Sequence, residues 1–225
     1  RPPRSTLFPY TTLFRSLTNK TIRGFAVTSP PAGTTLIAGT NGGGMFRSTN
    51  SGANWSPSNT GLPDFYNYAL AVAADTGGTK IFAAMNSGAV RSTNNGASWG
   101  LVNSGLTNIF VRAFAYDGTG KLYAGTAGGG VFLSTNMGTS WSAVNSGLAR
   151  TRVSALASNG VNLFAGTDSG GIFLSTNSGA SWNPINTGMG NLTISSLAIS
   201  GAYLVAGTVN GGAWTAVRRM TKNPQ

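Results

Sequence analysis

Few residues in this chain can do acid–base or nucleophilic chemistry. Its four acidic residues are all aspartate (Asp64, Asp75, Asp117 and Asp168), and it has no Glu, His or Cys. Zinc sites, disulfides, His-ligated haem and thiol or imidazole catalysis are therefore excluded. A two-carboxylate hydrolytic mechanism would need two of those aspartates roughly 5–10 Å apart. Asp75 opens DTGGTK (75–80) and Asp117 opens DGTGK (117–121), segments in which aspartate bonds its own turn. The expectation is no catalytic residue, no metal and no cofactor. Cations and phenols remain. Guanidinium groups converging on one point hold a carboxylate or sulfate through bidentate bonds. Arg23, Tyr68, Arg112, Arg152 and Asp168 are the ligand-binding candidates, with Tyr66 a second phenol near Tyr68.

The elements that must position these groups come from a repeat. One octapeptide occurs four times, as STNSGANW (48–55), STNNGASW (92–99), STNMGTSW (134–141) and STNSGASW (175–182). Its tryptophans are spaced by 44, 42 and 41 residues. A period of about 40–45 residues suits four-stranded propeller blades or helix pairs. The abundance of Gly, Asn, Ser and Thr between short β-favouring runs rules against helices. Each unit holds four runs. The first series is GFAV, ALAV, AFAY, ALAS and SLAI; the second includes LIAGT, LYAGT, LFAGT and LVAGT; the third includes GMFRST and VFLST. The fourth runs from the box Trp to an Asn, as in WSPSN and WSAVN. Four antiparallel strands per unit predict an all-β propeller with blades at 20–62, 66–106, 109–148 and 151–189 and a partial blade at 192–217.

In the octapeptide the Asn accepts backbone hydrogen bonds of a turn, Gly supplies positive φ, and Trp packs beneath the blade. The set is Ser48, Asn50, Gly52 and Trp55; Ser92, Asn94, Gly96 and Trp99; Ser134, Asn136, Gly138 and Trp141; Ser175, Asn177, Gly179 and Trp182. The pattern resembles the Asp-box (bacterial neuraminidase) repeat S-x-D-x-G-x-x-W over about 18–217, with Asn replacing Asp each time. The resemblance implies that the box is structural and lies away from the ligand face. Sialidases of this kind use an arginine triad, an Asp acid/base and a Tyr activated by Glu. This chain offers Arg23, Arg112 and Arg152 with Tyr66 or Tyr68, and no Glu. Asp64 and Asp168 alone fall on the candidate face, about two blades apart. The family also includes photosystem assembly factors and sortilin-like receptors, so fold does not select function.

In propellers the first strands line the axis, and the four-to-one and two-to-three loops share one face. Aligned first strands put Arg23, Tyr68, Arg112, Ser154 and Ser195 at equivalent positions at the channel mouth. The expected function is non-catalytic binding of a glycan or protein partner there, in a secreted or cell-surface bacterial protein. The alternatives are a fragment of a sialidase-like glycoside hydrolase and an assembly-factor-like propeller docking a protein. Charged residues make up 8% of the chain, against about 25% usually. The basic residues are scattered, apart from Arg150/Arg152 and Arg218–Arg219, so no nucleic-acid partner is expected. The uncharged stretch 169–217 is interrupted by polar residues throughout, so no membrane span is expected.

Residues 1–16, RPPRSTLFPYTTLFRS, share nothing with the repeat and match the translation of a sequencing adapter. They are read as non-native and set aside. Without Arg1, Arg4 and Arg15, twelve basic residues face four acidic ones, and the net charge falls from +11 to +8. This reading expects the native N-terminus, with any signal peptide, to be missing. It further expects an incomplete ring or a strained five-blade closure, with 7–17 at the vacant edge.

Overall fold

The apolar runs between turn-forming segments become strands, and each strand pairs with the next along the chain. The structure, a computed structural model, describes residues 17, 21–28 and 33–217. The first sheet contains β1 (Ile22–Thr28), β2 (Thr35–Thr40), β3 (Met45–Ser48) and β4 (Ser56–Pro57). The second contains β5 (Asn67–Asp75), β6 (Gly78–Met85), β7 (Gly88–Ser92) and β8 (Gly100–Leu101). The third contains β9 (Val111–Tyr116), β10 (Leu122–Thr126), β11 (Val131–Ser134) and β12 (Ser142–Ala143). The fourth contains β13 (Val153–Ser158), β14 (Leu163–Thr167), β15 (Gly171–Ser175) and β16 (Asn183–Pro184). The fifth has three strands, β17 (Ile194–Ser200), β18 (Tyr203–Thr208) and β19 (Gly212–Val217). All ladders are antiparallel, and the inner strands β1, β5, β9, β13 and β17 pack on one another in that order. The chain is a β-propeller. Among the described residues no such packing joins β17 to β1, so the five blades form an open arc.

The core lies between blades. Ile37, Phe82, Tyr123 and Phe164 occupy equivalent places on the second strands and are almost fully buried. Phe82 meets Phe114 of the next blade with ring centroids 6.1 Å apart. Burying each such side chain is worth about 1.5–3 kcal/mol. Outer strands are shorter than the sequence suggests, with only two paired residues each. A side chain takes over where the ladder stops. Asn145 accepts from the Val131 N–H at 2.7 Å and donates to the Gly129 carbonyl at 2.8 Å. Asn103 and Asn186 repeat both bonds in their own blades.

The octapeptide corner is a turn with two left-handed residues. In the third blade the Thr139 N–H donates to the Asn136 carbonyl at 3.3 Å, and φ is 53° at Met137 and 81° at Gly138. That is a type I′ hairpin turn. Ser51, Asn95 and Ser178 match Met137 with φ of 57°, 54° and 59°. Ser134 Oγ–H donates to Asn136 Oδ1 at 2.9 Å, and the Ser140 N–H donates to the same oxygen at 2.9 Å. The Gly138 N–H donates to Ser134 Oγ at 2.8 Å.

The tryptophans do not stay beneath their own blade. Indole Nε1–H donates to a carbonyl of the preceding blade: Trp99 to Ser58 at 2.9 Å, Trp141 to Val102 and Trp182 to Val144, both at 2.7 Å. Their backbone N–H groups bind Thr60, Ser104 and Ser146 of the linkers, each at 2.9 Å. A Cβ at Gly105 would sit 2.1 Å from the Trp141 carbonyl oxygen, so the linker can cross there only as glycine. Trp55 packs with Leu17, Ala38 and Phe46. Leu17 thus occupies the place that Leu62, Leu106 and Leu148 take against Trp99, Trp141 and Trp182. Of the segment 7–17 expected at an open edge, 7–16 lie outside the described residues, as does the whole adapter-like stretch 1–16.

Candidate functional site

Every inner strand carries the same irregularity at its start. Pairing with the second strand skips one residue between Ile22 and Gly24, Asn67 and Ala69, Val111 and Ala113, Val153 and Ala155, and Ile194 and Ser196. The residues skipped are Arg23, Tyr68, Arg112, Ser154 and Ser195. A β-bulge leaves its extra residue out of the ladder and re-aims the side chain. Five residues that sequence alignment makes equivalent thus leave the ladder at the same point of each inner strand; the Ser154 hydroxyl is engaged by the Gly166 and Ile194 carbonyls.

Neighbouring bulges interact. The Arg112 guanidinium lies 4.3 Å from the centre of the Tyr68 ring, close enough for a cation–π contact. The Tyr68 hydroxyl donates to Asn86 Oδ1 at 2.6 Å, so the ring is anchored at its far end. Arg152 Nε meets Asp168 Oδ2 at 3.3 Å, with 68% and 41% of the two side chains exposed. An exposed pair like this is worth at most about 1 kcal/mol and opens readily for a competing anion. Arg112, Arg152, Ser154, Asp168, Thr193 and Ser195 line one cavity of about 280 Å³. Of the five ligand-binding candidates, Arg112, Arg152 and Asp168 meet in this cavity and Tyr68 adjoins it through Arg112. Arg23 is exposed on the first blade and does not line it, so the sialidase-like trio Arg23, Arg112 and Arg152 is not assembled.

The other carboxylates hold loops. Asp64 accepts the Tyr66 and Ser87 N–H groups, one on each oxygen, both at 2.8 Å. Asp75 pairs with Lys80 at 2.5 Å, and Asp117 Oδ1 accepts the Thr119 and Lys121 N–H groups at 2.8 and 3.1 Å. Among the described residues no group of His, Cys, Asp or Glu could hold a metal ion, and no helix is long and apolar enough to cross a membrane. Asn86, which fixes Tyr68, lies in the hairpin between β6 and β7, a loop that recurs in every blade on the candidate face; its contact with Tyr68, 18 positions back, has no signature in the repeat.

Solved structures share this architecture. An ancestral GH74 enzyme matches with a TM-score of 0.60 and 24% identity, over 84% of this chain and 27% of its own. The extracellular domain of a hybrid two component system from B. thetaiotaomicron matches with a TM-score of 0.70 and 17% identity, over 89% of this chain and 27% of its own. YCF48 from Cyanidioschyzon merolae matches with a TM-score of 0.64 and 14% identity, over 91% of this chain and 69% of its own. This chain spans about a quarter of the length of the first two. At such identities the likeness establishes the β-propeller fold. No family model matches the sequence, and neither does any curated protein.

Proposed function

We propose that this chain is a non-catalytic binding propeller of a secreted or cell-surface bacterial protein, and that it takes an anionic group of a glycan or protein partner at the channel mouth. The observation that carries this reading is the bulge repeated in all five inner strands, which takes Tyr68, Arg112 and Ser195 out of the ladder beside the rim where Arg112 and Arg152 share a cavity. The engaged carboxylates support a non-catalytic role, since Asp64, Asp75 and Asp117 are committed to turns and Asp168 to Arg152. Likeness to an extracellular sensor domain supports the location. The box residues Ser134, Asn136, Gly138 and Trp141, with their counterparts, serve structure on this reading.

A charge-assisted hydrogen bond contributes about 1.5–3 kcal/mol, or roughly 10- to 150-fold in affinity. The test is binding of the chain to arrays of sulfated, carboxylated and neutral glycans and to immobilised poly-glutamate. Anionic probes should be retained over neutral ones, and Arg112→Ala with Arg152→Ala should lose at least tenfold. Equal retention by that double variant refutes the reading. Turnover of a fluorogenic sialoside would refute its non-catalytic half.

A further inference from the structure

We propose that the partner seated on this face is a polypeptide, an acidic segment flanked by apolar side chains that lies across the linkers around the channel mouth. The inference rests on the anion-binding reading above and adds the class of partner. Its starting point is exposed apolar surface. Eleven large apolar side chains are exposed among the described residues, and six of them lie on this face: Phe65, Tyr66, Ile109, Phe110, Leu192 and Val209, each 37–51% exposed. Scattered exposed apolar residues need no explanation, but concentration on one face marks an interaction site.

The placement is built in by the repeat. Five of the six sit three or four residues after the apolar linker residue, which is Leu62, Leu106 or Met189, the second buried and the other two partly so. Ahead of them stands Asp64, Asn108 or Asn191, which accepts the N–H two residues on: Tyr66 at 2.8 Å, Phe110 at 3.1 Å and Thr193 at 2.8 Å. The carbonyls are held as well. Phe65 accepts from Gly42 and Gly44, Phe110 from Ala127, and Leu192 from Gly171. Phe110 has both backbone groups fixed, and Phe65, Tyr66 and Leu192 one each, so little further ordering of these linkers is needed on binding.

The linker between the third and fourth blades breaks the pattern. It reads Arg150-Thr151-Arg152, with neither an Asx residue nor an apolar one, and it lies beside the cavity that Arg112 shares. One cationic position is thus flanked by apolar positions on both sides. Charge complementarity calls for an acidic group there. Ile109, Leu192 and Val209 offer no flat ring on which a sugar could stack, and they gain only by covering apolar groups. A polypeptide supplies both chemistries, and Phe, Tyr and Arg are among the residues enriched at protein–protein interfaces.

The experiment is selection of a phage-displayed random peptide library on the immobilised chain, followed by fluorescence anisotropy of the selected peptides. The expected peptides carry Asp or Glu within a few residues of Phe, Tyr, Trp, Leu or Ile. Phe65→Ser with Phe110→Ser should weaken them at least tenfold, as should Arg112→Ala with Arg152→Ala. Circular dichroism checks that each variant remains folded; single Phe65→Ser and Phe110→Ser variants, expected to lose at least threefold each, replace a pair that does not. Anionic glycans that bind through the arginines and ignore the phenylalanine pair, with no peptide selected, overturn this inference and leave the anion reading intact. Peptides that depend on the phenylalanines and ignore the arginines overturn the anion reading and the acidic partner with it.

Discussion

The interblade tryptophan strut can be weakened one group at a time. Trp141 is 4% exposed, and its Nε1–H reaches the Val102 carbonyl of the preceding blade at 2.7 Å. Its backbone N–H reaches the Ser104 carbonyl at 2.9 Å. Trp141→Phe keeps the backbone bond and most of the apolar filling, but it leaves the Val102 carbonyl facing a ring edge with nothing to donate. The Val102 carbonyl is part-buried, and losing its donor costs about 1–3 kcal/mol, while the lost ring volume adds about 1 kcal/mol. The expected loss is therefore about 2–4 kcal/mol, and Trp141→Ala should lose about 3–5 kcal/mol. Trp182→Phe, bonded to Val144 in the same way, should fall in the same range. Leu101→Ala is the control: it adjoins Val102 but is 55% exposed, so a change within about 0.5 kcal/mol is expected. Urea unfolding followed by far-UV circular dichroism measures all four without relying on indole fluorescence. If both Trp→Phe variants match the control, the indoles merely fill space within their own blades, and the strut reading is wrong.

Three further outcomes follow from the same geometry. Asn136→Asp keeps both acceptor bonds of the box corner, and the Ser140 hydroxyl can turn from accepting to donating; stability should stay within about 0.5 kcal/mol, whereas Asn136→Ala should lose about 1.5–3 kcal/mol in urea unfolding. Asn67 places its Oδ1 in the core without a hydrogen bond, while its Nδ2 donates to the Ala69 and Ala84 carbonyls at 3.0 and 3.2 Å, at the position that Val111, Val153 and Ile194 take in the later blades. Asn67→Val removes the unpaired oxygen and both donor bonds together, so stability should stay within about 1 kcal/mol, and a larger change in urea unfolding would count against that. The hydrogen bond from Lys80 holds the Asp75 carboxyl below its ordinary range. A depressed carboxyl stabilises above its unfolded pKa of about 3.9, and the contribution disappears as pH falls through the lower folded value. Melting curves between pH 6 and pH 2 should therefore show a shallower acid limb for Asp75→Asn, by a small margin because the pair lies at the surface.

The repeat made the strands legible, because tryptophans 44, 42 and 41 residues apart cannot be accommodated by unrelated segments. The roles of Asn and Gly in the corner were legible too, since both act within a few residues of themselves. What lay between blades was not. The indole of Trp141 finds its acceptor 39 positions back, and nothing local to the octapeptide names Val102. Left-handed backbone at Met137 has no residue signature either; the type I′ turn imposes it on whatever follows Asn. Alignment ranked Arg23 beside Arg112 because it compares positions along strands. It carries no record of the distance around the arc, and it is the adjacent third and fourth blades that bring Arg112 and Arg152 to one cavity. The bulges themselves are mismatches between two paired strands, so neither strand announces them alone.

The excess of positive charge reads differently once its acceptors are known. On the box side the cations are committed to the next blade's turn. Arg47 Nε donates to the Asn95 carbonyl at 2.9 Å, an Arg91 nitrogen to the Met137 carbonyl at 2.7 Å, and Lys121 Nζ to Ser178 Oγ at 2.7 Å. Each of these acceptors belongs to a left-handed corner residue, so the cation fastens the most constrained point of the neighbouring hairpin. At the channel mouth no equivalent acceptors are found among the described residues. Arg112 has a ring beneath it, and Arg152 has one solvated carboxylate. A net charge that looks evenly scattered in sequence is therefore satisfied internally on one face and left available on the other. Availability, rather than total charge, is what an anionic partner would select.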